Sequence, residues 1–276
     1  MIGDRTQLWR PAQVIENRAI ARGSVWLTLE AADDLPAGYE PGHVLGLGLP
    51  NPDGGYQRHA YTVSRGEPDR RRFSHLYRVI PHGRMTPRLA ELQPGDSLSF
   101  HGPFHTPVQD EIRPTAAGII LIATGTGIGP IFGYAEKTLR EGEPRLIRLY
   151  AGFREQADFC LIRELEALGR DYSNFEWQFT VTSPLPEWQG LTGRVTESIP
   201  PLFKPEIVET HHFHLVGNGG MVQLVRQVLF RSGAPRDHVS TETYFNHHIE
   251  PSESEIAAVA ARFRYSPAQH TIERPG

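Results

Sequence analysis

The chain has 276 residues, of which 39% are hydrophobic and 22% are charged, and its formal net charge at pH 7 is −4. This is typical of a globular protein of two domains, and the absence of a long basic tract argues against nucleic-acid binding. No stretch approaches the roughly 18 apolar residues of a membrane span, and the polar N-terminus is unlike a secretory signal. The chain has a single cysteine, which excludes an intrachain disulfide and an iron–sulfur cluster held by four thiolates of this chain. We therefore expect a cytoplasmic protein without membrane insertion.

Short strand patterns separated by turns occupy the first part of the chain, from about residue 8 to 108. We predict strands over Ser24–Glu30, His43–Leu49, Tyr61–Ser64, Phe73–Ile80 and Ser97–Phe100. Many short strands at close spacing favour a small antiparallel β-barrel. We assign this barrel to residues 1–112.

One barrel segment, Arg58-His-Ala-Tyr-Thr-Val-Ser64, carries the residue types that can hold a flavin. The Tyr61 ring can stack on the isoalloxazine, and the hydroxyl or N–H of Thr62 can bond near its N5, while an upstream cation pairs with phosphate. The predicted flavin contacts are Arg58, His59, Tyr61, Thr62, Val63 and Ser64. The alternative is an ordinary aromatic barrel strand with a solvated arginine.

A second candidate phosphate site follows at residues 83–89. A glycine turn, a hydroxyl and a short helix start succeed one another there, and a helix N-terminus favours an anion. The predicted flavin contacts are Gly83, Arg84, Met85 and Thr86. An ordinary capped helix is the alternative.

After Pro114 the pattern changes to strands that alternate with helices. We predict strands over 118–123, 146–151, 175–182, 213–216 and 238–245, and helices over 130–140, 157–169 and 220–232. This alternation indicates a parallel sheet with helices on both faces. We assign residues 113–245 to an α/β nucleotide-binding domain and 246–276 to a C-terminal extension, with a helical pattern over Ser252–Phe263.

Two predicted strands of this domain end at glycine clusters. In Gly118–Pro130, the glycines at 125, 127 and 129 let the backbone approach a pyrophosphate, and the next helix offers free N–H groups. Pro130 replaces the last glycine of the usual dinucleotide fingerprint, so tight packing is the alternative. The second cluster, in Phe213–Val222, would face the same dinucleotide from the other side. The predicted NAD(P) contacts are Thr124, Gly125, Thr126, Gly127, Gly152, Arg154, Ser183, Gly217, Asn218, Gly219 and Met221.

These segments and their order resemble the ferredoxin–NADP reductase superfamily of flavoproteins, over about residues 10–245. The matching motifs are residues 58–64, Gly83 with Thr86 and Leu89, residues 125–130, residues 216–222, and Glu242 with Tyr244. Residues 73–100 are most similar to the bacterial ferredoxin/flavodoxin reductases.

The resemblance implies an NAD(P)H-dependent flavoprotein reductase that holds FAD rather than FMN. It would pass electrons to a separate carrier such as ferredoxin or flavodoxin, by hydride transfer between nicotinamide C4 and flavin N5. The implied catalytic residues are Tyr61, Thr62 and Glu242, with Glu242 as a proton relay and Tyr244 near the flavin. The alternative for Glu242 is a surface carboxylate in a last strand.

The chain departs from the family pattern at several positions. Arg58 lies three residues before Tyr61 rather than two, which leaves Arg58 and His59 as alternatives at the phosphate, and Val216 stands where the family often has cysteine. Thr182-Ser183-Pro184 lacks the arginine that binds a 2′-phosphate, which favours NADH unless Arg194 or Arg226 replaces it.

Charged and metal-ligating residue types point to two further possibilities. Arg65 and Arg70–Arg72 would steer an acidic partner or form a solvated loop. Five histidines, at 211, 212, 214, 247 and 248, lack a cysteine or carboxylate to complete a metal site, so we predict none. Alternative functions are the reductase component of an oxygenase, a free-flavin reductase, and a non-enzymatic flavin-binding regulatory subunit.

Overall fold

The computed structural model describes residues 9–32, 38–51, 53–67, 71–246 and 248–263. They form an antiparallel sheet followed along the chain by a parallel sheet. Arg70, His247 and the part of the predicted extension after residue 263 lie outside the described residues.

The antiparallel sheet has seven strands in the order β4-β3-β7-β1-β2-β6-β5. Their bounds are β1 Arg10–Ala21, β2 Ser24–Ala31, β3 Val44–Pro50, β4 Tyr56–Thr62, β5 Arg65–Gly66, β6 Arg72–Arg78 and β7 Ser97–His101. Strands β4 and β5 lie at opposite ends of this order, yet two residues separate them in the chain. The sheet therefore curls on itself around a core that includes Leu27, Leu47, Phe73 and Phe100, which confirms the predicted antiparallel barrel.

The strand predicted over Tyr61–Ser64 is only the end of a longer strand that begins at Tyr56. Beyond Thr62 the chain crosses to the other edge of the sheet. The Val63 N–H still donates to the His43 carbonyl, whereas the Ser64 N–H donates to the Ser74 carbonyl in β6. Both residues are buried, because this crossing closes the barrel.

Two short helices, α1 (Thr86–Glu91) and α2 (Val108–Glu111), flank the last barrel strand. The α1 helix agrees with the prediction from the glycine turn before it. The segment that contains α2 connects β7 to the second sheet.

The second sheet has six parallel strands in the order β11-β10-β9-β8-β12-β13. Their bounds are β8 Gly118–Thr124, β9 Leu146–Phe153, β10 Phe175–Val181, β11 Leu191–Thr192, β12 His212–Asn218 and β13 Val239–Phe245. The order reverses direction between β8 and β12, the point at which open α/β sheets bind ligands. This confirms the predicted α/β architecture and brings the two glycine clusters side by side.

Helices cover both faces of the parallel sheet. Helices α3 (Ile128–Arg140) and α4 (Ile162–Asp171) bury one face, and α7 (Gly219–Arg231) and α8 (Glu253–Phe263) pack on the other. The short helices α5 (Val195–Ser198) and α6 (Pro205–Thr210) lie between β11 and β12.

The helix predicted over 157–169 begins later than expected, at Ile162. A 3₁₀ turn at Gln156–Asp158 and a left-handed Leu161, with φ 62°, interrupt the chain before it. The helical spacing of Ile162, Leu165 and Leu168 is real, but Phe159 lies outside the helix.

The predicted C-terminal extension contributes to the core of the second sheet. Ile256, Val259 and Ala260 of α8 are buried against α7. The domain bounds given above stay predictions. None of the described helices is long and apolar enough to cross a membrane, and the cytoplasmic location likewise stays a prediction.

The two sheets are joined by a tight contact at α3. A Cβ on Gly133 would lie 1.6 Å from the Ser64 carbonyl oxygen, and one on Gly129 would lie 2.3 Å from the Ser64 hydroxyl. Beside them, Arg65 forms a two-pronged ion pair with the buried Glu136 of α3, at 2.7 and 2.8 Å. The barrel thus sits directly on the helix that follows the first glycine cluster.

Candidate functional site

A cleft of about 1950 Å³ runs between the barrel and the carboxyl edge of the parallel sheet. This volume is about twice the upper end of the roughly 300–1000 Å³ typical of a pocket for one small ligand. Residues of both sheets and of the segment after β13 line it. The cleft can therefore hold two dinucleotides that meet between the domains.

On the barrel side the wall is aromatic. The Tyr61 ring contacts the rings of Tyr77 and His75 edge-on, with centroids 5.9 and 6.3 Å apart. The Tyr61 hydroxyl is buried and has no hydrogen-bond partner among the described residues, and burial raises the pKa of Tyr61. An apolar ring surface beside an unsatisfied hydroxyl fits a ligand that is both flat and polar, as an isoalloxazine is.

Glu242 and Tyr244 of β13 meet Thr62 of the barrel across the cleft. The Thr62 hydroxyl donates to Glu242 Oε1 over 2.5 Å, and Tyr244 lines the cleft beside this pair. Burial raises the pKa of Glu242 from 4.5 to about 7, although the Thr62 hydrogen bond opposes this. Glu242 therefore lies in the wall of the cleft, not on an exposed strand surface, and can exchange a proton near neutral pH.

The start of α1 forms the next part of the wall. The predicted residues Gly83, Arg84, Met85 and Thr86 all line the cleft. The Thr86 hydroxyl accepts the Ile80 N–H over 2.9 Å, which ties the glycine turn to the end of β6. Arg78 also lines this region; it was not among the predicted contacts, although its position shortly before a glycine turn was a usable signal.

The first glycine cluster and the N-terminus of α7 form the opposite wall. Thr124, Gly125 and Thr126 line it, as do Asn218 and Met221. The Asn218 side chain accepts the N–H groups of Gly220 and Met221 as an N-cap, and the Asn218 backbone N–H donates to Thr124 Oγ1 over 3.0 Å. The two strand ends are thereby locked together.

The predicted glycines have two different roles. Gly125 has φ 55°, and a Cβ added there would meet no atom within 4 Å, so its backbone is open to the cleft. By contrast, a Cβ added at each of three other predicted glycines would clash with a neighbour. On Gly127 it would lie 2.8 Å from the Val216 carbonyl oxygen. On Gly217 it would lie 2.3 Å from Thr124 Oγ1, and on Gly219 it would lie 2.3 Å from the Asn246 carbonyl oxygen. These three glycines allow close packing and are not part of the cleft lining, so their contact with the nucleotide stays a prediction.

Four other predicted residues also lie outside the cleft lining. Arg58 stacks on Trp9, with its guanidinium 4.7 Å from the ring centroid, so of the two candidate cations it is His59 that faces the cleft. Val63 is buried in the barrel core, and Ser64 is used at the contact with α3. Ser183 is exposed and its N–H donates to the Arg154 carbonyl.

Cations and carboxylates line the far end of the cleft, near β9 and β10. Gly152, Arg154, Thr182 and Arg194 are among its lining residues. Arg22 of the β1–β2 turn also lines it and pairs with Glu155 and Asp158 at 2.8 and 2.9 Å. Arg226 instead stacks on Phe230 and is not part of the lining.

The segment after β13 borders the cleft beside α7. Asn246, Ile249, Glu250 and Pro251 line it there, and Ile249 is 48% exposed. Residue patterns placed this segment in the C-terminal extension without identifying any of these four residues. Its position next to α7 follows from the packing of α8, which residue patterns do not reveal.

Three of the arginines considered for partner steering, Arg65, Arg71 and Arg72, are paired within the chain. Arg65 binds Glu136 at the domain contact, and Arg71 and Arg72 both bind Glu30, at 2.8 and 2.6 Å. Steering by these residues stays a prediction. Among the described residues, no group of three or more histidines, cysteines or carboxylates is placed to hold a metal ion.

Both halves of the chain match family models. Residues 11–107 match the oxidoreductase FAD-binding domain, and residues 121–227 match the oxidoreductase NAD-binding domain. The chain is 30% identical over 224 residues to ferredoxin–NADP reductase B of Sorangium cellulosum, covering 79% of this chain and 90% of that relative. The chain belongs to the ferredoxin–NADP reductase superfamily.

This membership confirms the resemblance found in the sequence. The protein is an NAD(P)H-dependent flavoprotein reductase, and FAD and a pyridine nucleotide are its cofactors. The non-enzymatic alternative is therefore not retained. The cleft fits the cofactors, since it has an aromatic wall, an unsatisfied hydroxyl and an open glycine.

Two further similarities describe the range of the superfamily. The reductase is 28% identical to the toluate 1,2-dioxygenase electron transfer component of Pseudomonas putida, covering 80% of this chain but only 63% of that relative. Its fold matches a ferredoxin NADP+ reductase from Neisseria gonorrhoeae with a TM-score of 0.71 at 18% identity, covering 86% and 99% of the two chains.

Proposed function

We propose that this reductase takes a hydride from NADH or NADPH and delivers the electrons singly to a separate carrier such as ferredoxin or flavodoxin. When bound, the flavin supplies the two-electron to one-electron conversion, with hydride transfer between nicotinamide C4 and flavin N5. The single observation that supports this is the shared cleft, in which Tyr61, Thr62 and Glu242 face the Thr124–Thr126 turn and Asn218.

In this proposal the protein orients the two cofactors. Tyr61 presents an apolar ring and an unmatched hydroxyl to one of them. The start of α1, with Arg84 and Thr86, and the nearby Arg78 hold its phosphates. The open backbone at Gly125 and the capped N-terminus of α7 accept the other dinucleotide.

Glu242 is the residue we assign to proton exchange. It lies at the junction of both cofactor regions, bonded to Thr62, and its pKa of about 7 lets it bind and release a proton near neutral pH. Met221 and Asn218 flank the same region from α7.

The reductase component of an oxygenase is the second candidate. It is favoured by the similarity to the toluate dioxygenase component. In that case the acceptor is an oxygenase or its iron–sulfur partner, and the same cleft chemistry applies. The two candidates differ in the acceptor alone.

The test is an anaerobic titration of the FAD-loaded protein with NADH and NADPH in separate experiments. We expect the flavin absorbance to bleach with at least one nucleotide and to return on addition of oxidised ferredoxin or flavodoxin. If the protein does not retain FAD after loading and gel filtration, and NAD(P)H reduces only flavin that is added free in solution, the protein would be a free-flavin reductase. Bleaching without reoxidation by either carrier, but with reoxidation by an oxygenase component, would support the second candidate.

A further inference from the structure

A chain of buried hydrogen bonds lies on the same face of the parallel sheet as Glu242. His212 Nε2 and His214 Nδ1 of β12 both lie 2.8 Å from Ser240 Oγ of β13. His214 pairs with Ser240 in register, and Val216 pairs with Glu242. Because residues two apart in a strand share a face, His214 and Glu242 are diagonal neighbours.

The direction of this chain follows from its first donor. The Arg113 backbone N–H donates to His212 Nδ1 over 3.1 Å, so that nitrogen carries no proton. Burial lowers the pKa of His212 to about 4, and the neutral ring must therefore carry its proton on Nε2 and donate it to Ser240. The Ser240 hydroxyl then donates to His214 Nδ1, which leaves the His214 proton on Nε2.

This chain of hydrogen bonds ends at His214 Nε2–H, a donor for which the described residues provide no acceptor. His214 is 3% exposed, and its Nε2 has no hydrogen-bond partner among them. A buried N–H without an acceptor is costly, so native proteins usually supply a partner or an ordered water. His214 Nε2–H is therefore a buried donor with a fixed orientation and no partner among the described residues.

Two groups lie within electrostatic range of this region. His105, in the segment that joins the two sheets, contributes to lowering the pKa of both His214 and Glu242 through its charge, and it lines the cleft. Its Nδ1–H donates to the Thr106 carbonyl over 3.0 Å, so Nε2 is the ring nitrogen left for another partner. Glu242 Oε1 is taken by Thr62, which leaves Oε2 as a further acceptor.

We propose that His214 is a positioning residue, whose Nε2–H, oriented through Arg113, His212 and Ser240, donates to an ordered water that bridges His105 and the Glu242 carboxylate. The inference rests on the proposed function in one respect, which is that Glu242 is the residue assigned to proton exchange. It adds residues of this chain behind the cleft that set the charge state of Glu242.

The physical consequence is stabilisation of the ionised carboxylate. A donor directed at a carboxylate through water lowers its pKa, which opposes the effect of burial. The other titratable groups that act on these residues are Tyr244 beside Glu242, and His238, Arg145 and Asp237 beside His212. None of these groups is a member of the hydrogen-bond series formed by Arg113, His212, Ser240 and His214.

The first test is histidine NMR on the FAD-loaded, oxidised, ¹⁵N-labelled protein. We expect both His212 and His214 to be neutral Nε2–H tautomers from pH 6 to pH 8, with the His214 signals assigned by their loss in His214→Asn. In Ser240→Ala the His214 tautomer should change or become mixed. A wild-type His214 in the Nδ1–H form would overturn the proposal.

The second test measures the pKa of Glu242 itself, from the carboxyl ¹³C shift of glutamate-labelled protein, assigned by Glu242→Gln. We expect Ser240→Ala to raise the pKa of Glu242 by about one pH unit, because the oriented His214 donor is lost. Ser240→Thr should restore the wild-type pKa. Thr138→Val, which removes another buried hydroxyl, is the matched control and should leave it unchanged. An unchanged Glu242 pKa in Ser240→Ala would overturn the proposal. Neither test depends on reduction by NAD(P)H, so failure of this proposal can be told apart from failure of the proposed function.

Discussion

Glu242 combines burial with a cleft position, and its chemistry is set by both. Its pKa is raised to about 7 because burial disfavours the carboxylate. We predict that Glu242→Gln lowers the rate of electron transfer to the carrier by about 10²-fold, the usual contribution of a positioned acid or base. The wild-type pH–rate profile should show an apparent pKa near 7 that the variant lacks; retention of that pKa would contradict the assignment.

The same residue predicts a pH-dependent stability. Between pH 4.5 and about 7 the folded protein binds a proton at Glu242 that the unfolded chain releases, so stability falls as pH rises through this range. We expect Glu242→Gln to gain stability relative to wild type between pH 4.5 and pH 8, by at most about 3 kcal/mol. Urea unfolding of both proteins across this range measures it, and parallel curves would refute it.

Arg194 tests the preference between the two nucleotides. It lines the cleft near Thr182, whereas the position after Ser183 holds proline instead of an arginine. We predict a lower KM for NADH than for NADPH in the wild type. Arg194→Ala should raise the KM for NADPH by about tenfold through loss of a charge-assisted bond and leave that for NADH within about twofold. Arg226→Ala, outside the cleft, is the control and should change neither value.

At the scale of elements, α3 carries glycines for packing rather than for the cofactor. A Cβ on Gly133 would lie 1.6 Å from the Ser64 carbonyl oxygen, which is backbone and cannot move aside. We predict that Gly133→Ala destabilises the protein by about 3 kcal/mol or more, measured by urea unfolding.

Gly169 of α4 provides the matched control for this prediction. It is also helical, but a Cβ there would meet only Trp177 at 3.6 Å, an ordinary contact. Gly169→Ala should therefore be neutral or stabilising by about 0.5–1 kcal/mol. Equal destabilisation by the two substitutions would show that the Ser64 contact does not decide the effect.

Across the molecule as a whole, an ion pair holds the barrel on α3. Glu136, whose side chain is 8% exposed, binds Arg65 and also Arg140. We predict that Glu136→Gln costs about 1–3 kcal/mol, because Arg65 is left half-buried without its partner. The measurement is the free energy of unfolding, with FAD retention as a second readout of domain contact.

The exposed pair between Lys137 and Glu141, one turn away, serves as the control. The Glu141 side chain is 54% exposed, and surface pairs of this kind contribute less than about 1 kcal/mol. Glu141→Gln should therefore change stability little. A loss as large as that of Glu136→Gln would contradict the idea that the buried contact is what matters.

The order of elements and the cofactor class follow from residue patterns along the chain. Glycine clusters after apolar strands are local signals, and the change from short strands to alternating strands and helices marks the two folds. The same patterns selected Tyr61, Thr62, Glu242 and Gly125, all of which line the cleft, and their contacts with the cofactors stay predictions. They failed at Phe159, because a left-handed Leu161 delays α4 in a way that spacing does not show.

Which of these residues face the cofactors depends on the folded arrangement. Gly125 and Gly127 look alike in sequence, but one is open and the other packs on Val216. Thr62 and Glu242 are 180 positions apart in the chain, and the pKa of Glu242 is set by burial, which raises it, and by the Thr62 hydrogen bond, which lowers it. Periodicity describes neighbours along the chain, whereas packing, burial and charge depend on neighbours in space, which folding alone brings together.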